Sequence, residues 1–280
     1  MPLGRLDEAS GLIYQASGDP SDPTVIYLPG VHGDWTAQGQ VRPILNCDFH
    51  FVETAYPRVE FWSIEDFGHA LNGLLQQLGI ESAHVVAESF GSLVGWQFGI
   101  THPERFRSLT LVGGFSRAPR FRMASAAASA LNSIPTWLLE TGIDTYVAGK
   151  AILGQTRDAF ETGAYPASRT ERGKRAVSNR MKIIQRSDFR EHLETIEFPV
   201  RYIGGARDIV VPVRREIATL DASLPEHCQF ESELIPGAPH TLIATHPEQT
   251  AGRIARWLRA TEDAITQGQL PGSRSDASNS

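Results

Sequence analysis

Residues 85–95, VVAESFGSLVG, place a hydroxyl, that of Ser89, between a β-branched run and a helix-like one. Ala87 stands two residues before it and Gly91 two after. A strand that turns directly into a helix leaves the residue at its apex strained and exposed, and large side chains at the flanking positions collide with neighbouring backbone. Ala87 therefore fills the place of the first glycine in a G-x-S-x-G elbow. Small-x-Ser-x-small arises often by chance; the strand before and the helix after give this instance its weight. Gly95, one turn further on, would let that helix lie close to the sheet. Nucleophilic attack is the chemistry open to such a serine, provided a base takes its proton.

The base should be a histidine, held by a carboxylate that fixes its tautomer. An elbow serine is followed in the chain by the acid and then by the histidine, each on a loop after its own strand. Of the nine histidines, His240, in PGAPH after QFESELI, meets that condition. His227 falls just before a strand, and His246 opens the last helix in HPE. The acid should follow PVRYIGG, where ARDIVVP supplies Asp208; its plainer reading is a turn aspartate. Glu88 adjoins Ser89, but adjacent elbow residues point different ways, so it reads as a site-wall or structural residue. An oxyanion would need two N–H donors. Phe90, at the start of the elbow helix, offers one, where the helix dipole also favours negative charge. Val31, in the glycine-containing LPGVHGDW, offers the second. His32 reads as part of the wall of that loop.

Positioning these groups takes a particular set of elements. GLIYQA, TVIYLPG, HFVETAYP, AHVVA, RSLTLVGG, PVRYIGG and QFESELIPG read as strands, and helix-like runs such as IEDFGHALNGLLQQLG separate several of them. Continuous Val/Ile/Leu strands alternating with helices predict an α/β fold, a mostly parallel central sheet with helices on both faces. HPEQTAGRIARWLRA closes the pattern as an amphipathic helix. Residues 1–114 and 196–262 form the core in two parts, and 263–280, poor in apolar residues, read as a disordered tail. The insertion at 115–195 is mainly helical by pattern and reads as a cap over the carboxyl edge of the sheet. Residues 116–190 carry thirteen Lys/Arg against six Asp/Glu, a balance of +7 that leaves the remainder of the -6 chain at -13. That is the signature of a solvated helical surface, or of a cap that draws in anionic substrates or a carrier protein.

A net charge of -6 argues against a nucleic-acid partner. No apolar run approaches a membrane span, and MPLGRLDEAS lacks the apolar core of a secretory signal. Cys47 and Cys228 lie far apart with no metal-type spacing, which predicts a reduced, cytoplasmic setting.

LPGVHGDW, AESFG, GGARDIVVP and PGAPHTLIATHPE, in this order and spacing, resemble the α/β-hydrolase fold family in its capped, serine esterase-like branch. The resemblance covers about residues 5–260 and implies a helical cap inserted after the sixth strand. It implies Ser89 as nucleophile, Asp208 as acid, His240 as base, and the Val31 and Phe90 amides as oxyanion hole. Pro29 departs from the pattern, standing where many members carry the histidine of a His-Gly pair, so the oxyanion loop should be held differently here. The implied reaction is hydrolysis of a small-molecule ester with an apolar acyl part, without metal or organic cofactor. Trp137, Leu138 and Met123 in the cap are the expected substrate contacts. Carbon–carbon bond hydrolases, thioesterases, lactonases and perhydrolases use the same serine triad, and a non-catalytic ligand-binding member of the fold is the alternative from another class.

Overall fold

The computed structural model describes residues 5–6, 10–118 and 170–270. Its strands are β1 (Arg5–Leu6), β2 (Ile13–Ser17), β3 (Thr24–Leu28), β4 (His50–Ala55), β5 (Ala83–Glu88), β6 (Phe106–Val112), β7 (Val200–Gly205) and β8 (Glu231–Ile235). They form one eight-stranded sheet in the order β1-β2-β4-β3-β5-β6-β7-β8. Pairing is parallel from β4 to β8, and β1 and β2 add antiparallel at one edge. The predicted α/β class and mostly parallel sheet are thus observed.

Helices cover both faces because the strands are apolar on both. Ile26, Leu28, Val85, Ala87, Leu109 and Leu111 face one core cluster with α2 (Ile64–Gln77) and α3 (Gly91–Thr101). Val25, Tyr27, Val86, Val112 and Ile203 face the other, with α1 (Arg42–Leu45), α6 (Leu242–Thr245) and α7 (Pro247–Thr266). A capping box starts α2: Asp66 N–H donates to Ser63 Oγ, and Ser63 N–H donates to the Asp66 carboxylate. The connection from β4 passes over β3 to β5, so winding reverses there and the carboxyl ends of β3 and β5 open a crevice between their loops.

After β6 the chain leaves the sheet and returns through α4 (Glu171–Arg186). Both ends of this excursion are joined: Arg117 and Asp188 form an antiparallel bridge, and Phe189 N–H donates to Ser116 O at 2.9 Å. Of the residues expected to touch substrate, Met123, Trp137 and Leu138 lie outside the described residues. α5 (Val213–Ser223) links β7 to β8.

The closing helix is longer than the sequence pattern suggests. It runs to Thr266, so the expected boundary at 262/263 falls within α7. Two features carry it on. Glu262 is anchored to the sheet by His84 and Arg107, and Gly268, at φ 68°, lets the chain turn back so that Leu270 is buried.

Candidate active site

Ser89 sits at the apex of the bend between β5 and α3 with φ 48°, in the left-handed region that side-chain-bearing residues avoid. Three contacts hold it there. Ser89 N–H donates to Val112 O of β6 at 3.1 Å. The Ser92 hydroxyl donates to Ser89 O at 2.6 Å and accepts from Phe115 N–H at 3.0 Å. Gly91 supplies the third: a Cβ there would lie 2.4 Å from Leu28 O, so only glycine lets α3 start so close to β3. At Gly95 an added Cβ would meet Leu109 at 3.1 Å, which is the close helix approach expected from the sequence.

His240, on the loop after β8, places Nε2 2.9 Å from Ser89 Oγ. Its Nδ1 lies 2.7 Å from Asp208 Oδ2, on the loop after β7. The side chain of Asp208 is fully buried, and its other oxygen accepts the N–H groups of Val210 and Val211, each at 2.8 Å. One carboxylate oxygen is therefore fixed by backbone and the other is left to the imidazole. With Nδ1 protonated toward Asp208, Nε2 presents its lone pair to the serine hydroxyl, the arrangement that draws a proton from Oγ.

Other candidates lie elsewhere. His227 Nε2 is 3.0 Å from Ile196 O, and His246 lies between α6 and α7 with Nδ1 3.0 Å from Thr245 Oγ1. Glu88 ends β5 and accepts a hydrogen bond from the buried Tyr27 hydroxyl, so it braces β3 against β5. Burial, together with the Glu88 charge, raises the Tyr27 phenol well above its ordinary range and keeps it a donor. His32 Nε2 is 2.9 Å from Asp34 O and its ring lies against Gly30, a loop-wall position.

The loop after β3 carries Val31. Every carbonyl from Pro29 to Gly33 has a donor: Tyr56 hydroxyl for Pro29 (3.1 Å), Gly33 N–H for Gly30 (3.0 Å), Arg180 Nε for Val31 (2.8 Å), Arg180 Nη2 for His32 (3.3 Å) and Tyr56 N–H for Gly33 (2.8 Å). The N–H groups of Val31 and Phe90, by contrast, meet no acceptor among the described residues. Gly30 borders the nucleophile, since a Cβ on it would lie 3.6 Å from the Ser89 Cβ. Tyr56 and Arg180 escaped the sequence reading. Neither belongs to a motif, and Arg180 is one of thirteen basic residues in the inserted region. Among the described residues, no group of three or more His, Cys, Asp or Glu side chains is arranged to hold a metal ion.

Comparison with known proteins agrees with this architecture. A family model described as alpha/beta hydrolase fold matches residues 31–247. The chain is 25% identical over 283 residues to "Putative carbamate hydrolase RutD" of Caulobacter sp. (strain K31), covering 92% of this chain and 98% of that protein. It superposes on the enol-lactonase from Burkholderia xenovorans LB400 with a TM-score of 0.73 and 15% identity, over 89% of this chain and 96% of that one. For a thermophilic esterase from Thermogutta terrifontis the TM-score is 0.67 and the identity 17%, over 89% and 93% of the two chains. Those structural likenesses bear on the fold alone. With its family model matched over the five strands β4 to β8, the elbow and the loops that carry Asp208 and His240, the chain belongs to the alpha/beta hydrolase fold family.

Proposed function

We propose that the protein is a serine hydrolase cleaving carboxylic esters of small molecules through an acyl-enzyme. The observation that carries this reading is the contact of Ser89 Oγ with His240 Nε2 at 2.9 Å, on a residue held at φ 48°. His240 takes the Ser89 proton as Oγ attacks the ester carbonyl, and the Val31 and Phe90 N–H groups receive the oxyanion. Each such donor is worth roughly 3–4 kcal/mol to the transition state. His240 then gives its proton to the leaving alcohol, and water activated by the same imidazole releases the acid. Asp208 keeps the imidazole in the working tautomer and stabilises its charged form. These steps draw on side chains and backbone of this chain without a cofactor. The substrate in this reading carries an apolar acyl part, and the two free cysteines, Cys47 and Cys228, support a reducing, cytoplasmic setting.

A carbamate or lactone carbonyl would be attacked by the same groups, and the full-length likeness to the RutD protein favours including carbamates in the test. Purified protein is assayed against p-nitrophenyl esters of two to sixteen acyl carbons and against p-nitrophenyl carbamates, beside Ser89→Ala. Ester hydrolysis that falls by about four to six orders of magnitude in the variant is expected. Activity on carbamates alone would move the substrate class, and activity surviving Ser89→Ala would overturn the nucleophile.

A further inference from the structure

The Arg180 side chain ties the loop that offers Val31 to α4. Arg180 lies on α4, 149 residues along the chain from Val31, and is only 2% exposed. Its Nε and Nη2 span two successive carbonyls, those of Val31 and His32, and its guanidinium lies 5.9 Å from the centre of the Tyr56 ring. Gly33, at φ 86°, makes room for it: a Cβ there would come within 2.8 Å of Arg180 Nη2. Among the described residues, no carboxylate lies within 4.0 Å of the guanidinium; the carbonyl dipoles, an aromatic face and the more distant Asp34 charge favour the cation. Burial lowers its pKa to about 10, which leaves it protonated at neutral pH. A buried cation with backbone carbonyls as its hydrogen-bond acceptors acts on the conformation of that backbone.

We propose that Arg180 is a positioning residue for the oxyanion hole: by drawing the Val31 and His32 carbonyls toward α4, it turns the Val31 N–H to the reacting carbonyl and makes the seating of α4 a condition for catalysis. The inference rests on the serine-hydrolase reading above. It also accounts for Pro29, which brings no side-chain donor to this loop; Tyr56 and Arg180 hold the loop from outside instead. A lysine has one nitrogen and cannot span both carbonyls as the planar fork does.

The test compares wild type, Arg180→Gln, Arg180→Lys and Asn179→Ala. Asn179 is the control because it anchors the same helix, donating to Trp62 O at 2.9 Å, away from the loop. Measured are kcat and KM on the best p-nitrophenyl substrate, the rate of Ser89 labelling by a fluorophosphonate, thermal midpoints, and hydrogen exchange of the peptide containing Val31 and His32. Arg180→Gln should lower kcat and labelling by about 10²–10³-fold, the loss of one oxyanion donor. KM should stay within about threefold, and exchange in the loop should speed up. Arg180→Lys should fall between, which keeps the question decidable if the glutamine variant does not fold. Asn179→Ala should keep kcat within about threefold of wild type. Unchanged exchange in the loop, a loss confined to KM, or an equal loss in Asn179→Ala would each overturn the tether. A wild-type enzyme that fluorophosphonate leaves unlabelled would instead overturn the serine-hydrolase reading, while the exchange data would still decide whether Arg180 holds the loop.

Discussion

At the scale of single residues, the site depends on how few options each group has. Ser89 is held at positive φ by contacts with β6 and α3, so its hydroxyl projects where a free chain would rarely put it. Asp208 illustrates the same economy. Its Oδ1 is occupied by the Val210 and Val211 N–H groups, leaving Oδ2 as the sole acceptor for His240. In Asp208→Asn the amide oxygen would keep the backbone donors and its NH₂ would face Nδ1, forcing the imidazole into the wrong tautomer. Turnover should drop by about 10⁴-fold. A thermal midpoint close to wild type would accompany it, because the backbone contacts survive. Full activity in this variant would remove Asp208 from the mechanism.

At the scale of elements, the last helix is more than a lid on the sheet. Glu262 of α7 accepts from His84 Nε2 at 2.8 Å and from both Arg107 Nε and Nη2 at 2.6 Å, joining α7 to β5 and β6. Burial alone would raise the Glu262 carboxyl, but the hydrogen bonds from His84 and Arg107 outweigh it and hold the group at about 2, against an ordinary 4.5. Burial lowers His84 below its ordinary 6.5, so the fold favours a neutral ring. Both shifts have the same sign in their effect. Stability from the carboxylate is complete above about pH 4.5 and is lost as pH falls toward 2, and protonating His84 in the unfolded chain begins the loss below about 6.5. Thermal midpoints should therefore decline across that interval. Glu262→Gln should cost about 1–3 kcal/mol at pH 7 and flatten the acid limb. An unchanged midpoint would mean that α7 is held by its apolar face alone.

At the scale of the whole molecule, the sheet protects one thiol and leaves the other open. Cys228 is fully buried, with Sγ 3.0 Å from Ile196 O, and burial, aided by the nearby Glu197 charge, pushes the thiol up to about 12. Cys47 is exposed. Iodoacetamide at pH 8 should modify Cys47 in the native protein and reach Cys228 only on unfolding, since burial both shields the Cys228 sulfur and keeps its thiol protonated. Mass spectrometry of the two peptides checks this, and native labelling of Cys228 would show that the β8 end of the sheet opens readily.

What the sequence alone determined is local. The apolar strand runs and the small residues around Ser89 are set within a few residues, so VVAESFGSLVG marks its own bend, while ARDIVVP and PGAPH are picked out by their place after a strand and their order in the chain. The closing helix runs past its apolar periodicity to Thr266, and in that stretch Glu262 meets His84, 178 residues away, a contact that local pattern does not carry. Ser89 and His240 are 151 residues apart, and only the winding of β5, β7 and β8 into one sheet edge brings them to hydrogen-bonding distance. Arg180 is the clearest case of what only the tertiary structure decided. Nothing in RGKRAVSNRMK separates one arginine from the others. Its difference lies in the packing of α4 against the loop after β3, which strips its water and leaves two carbonyls as its partners.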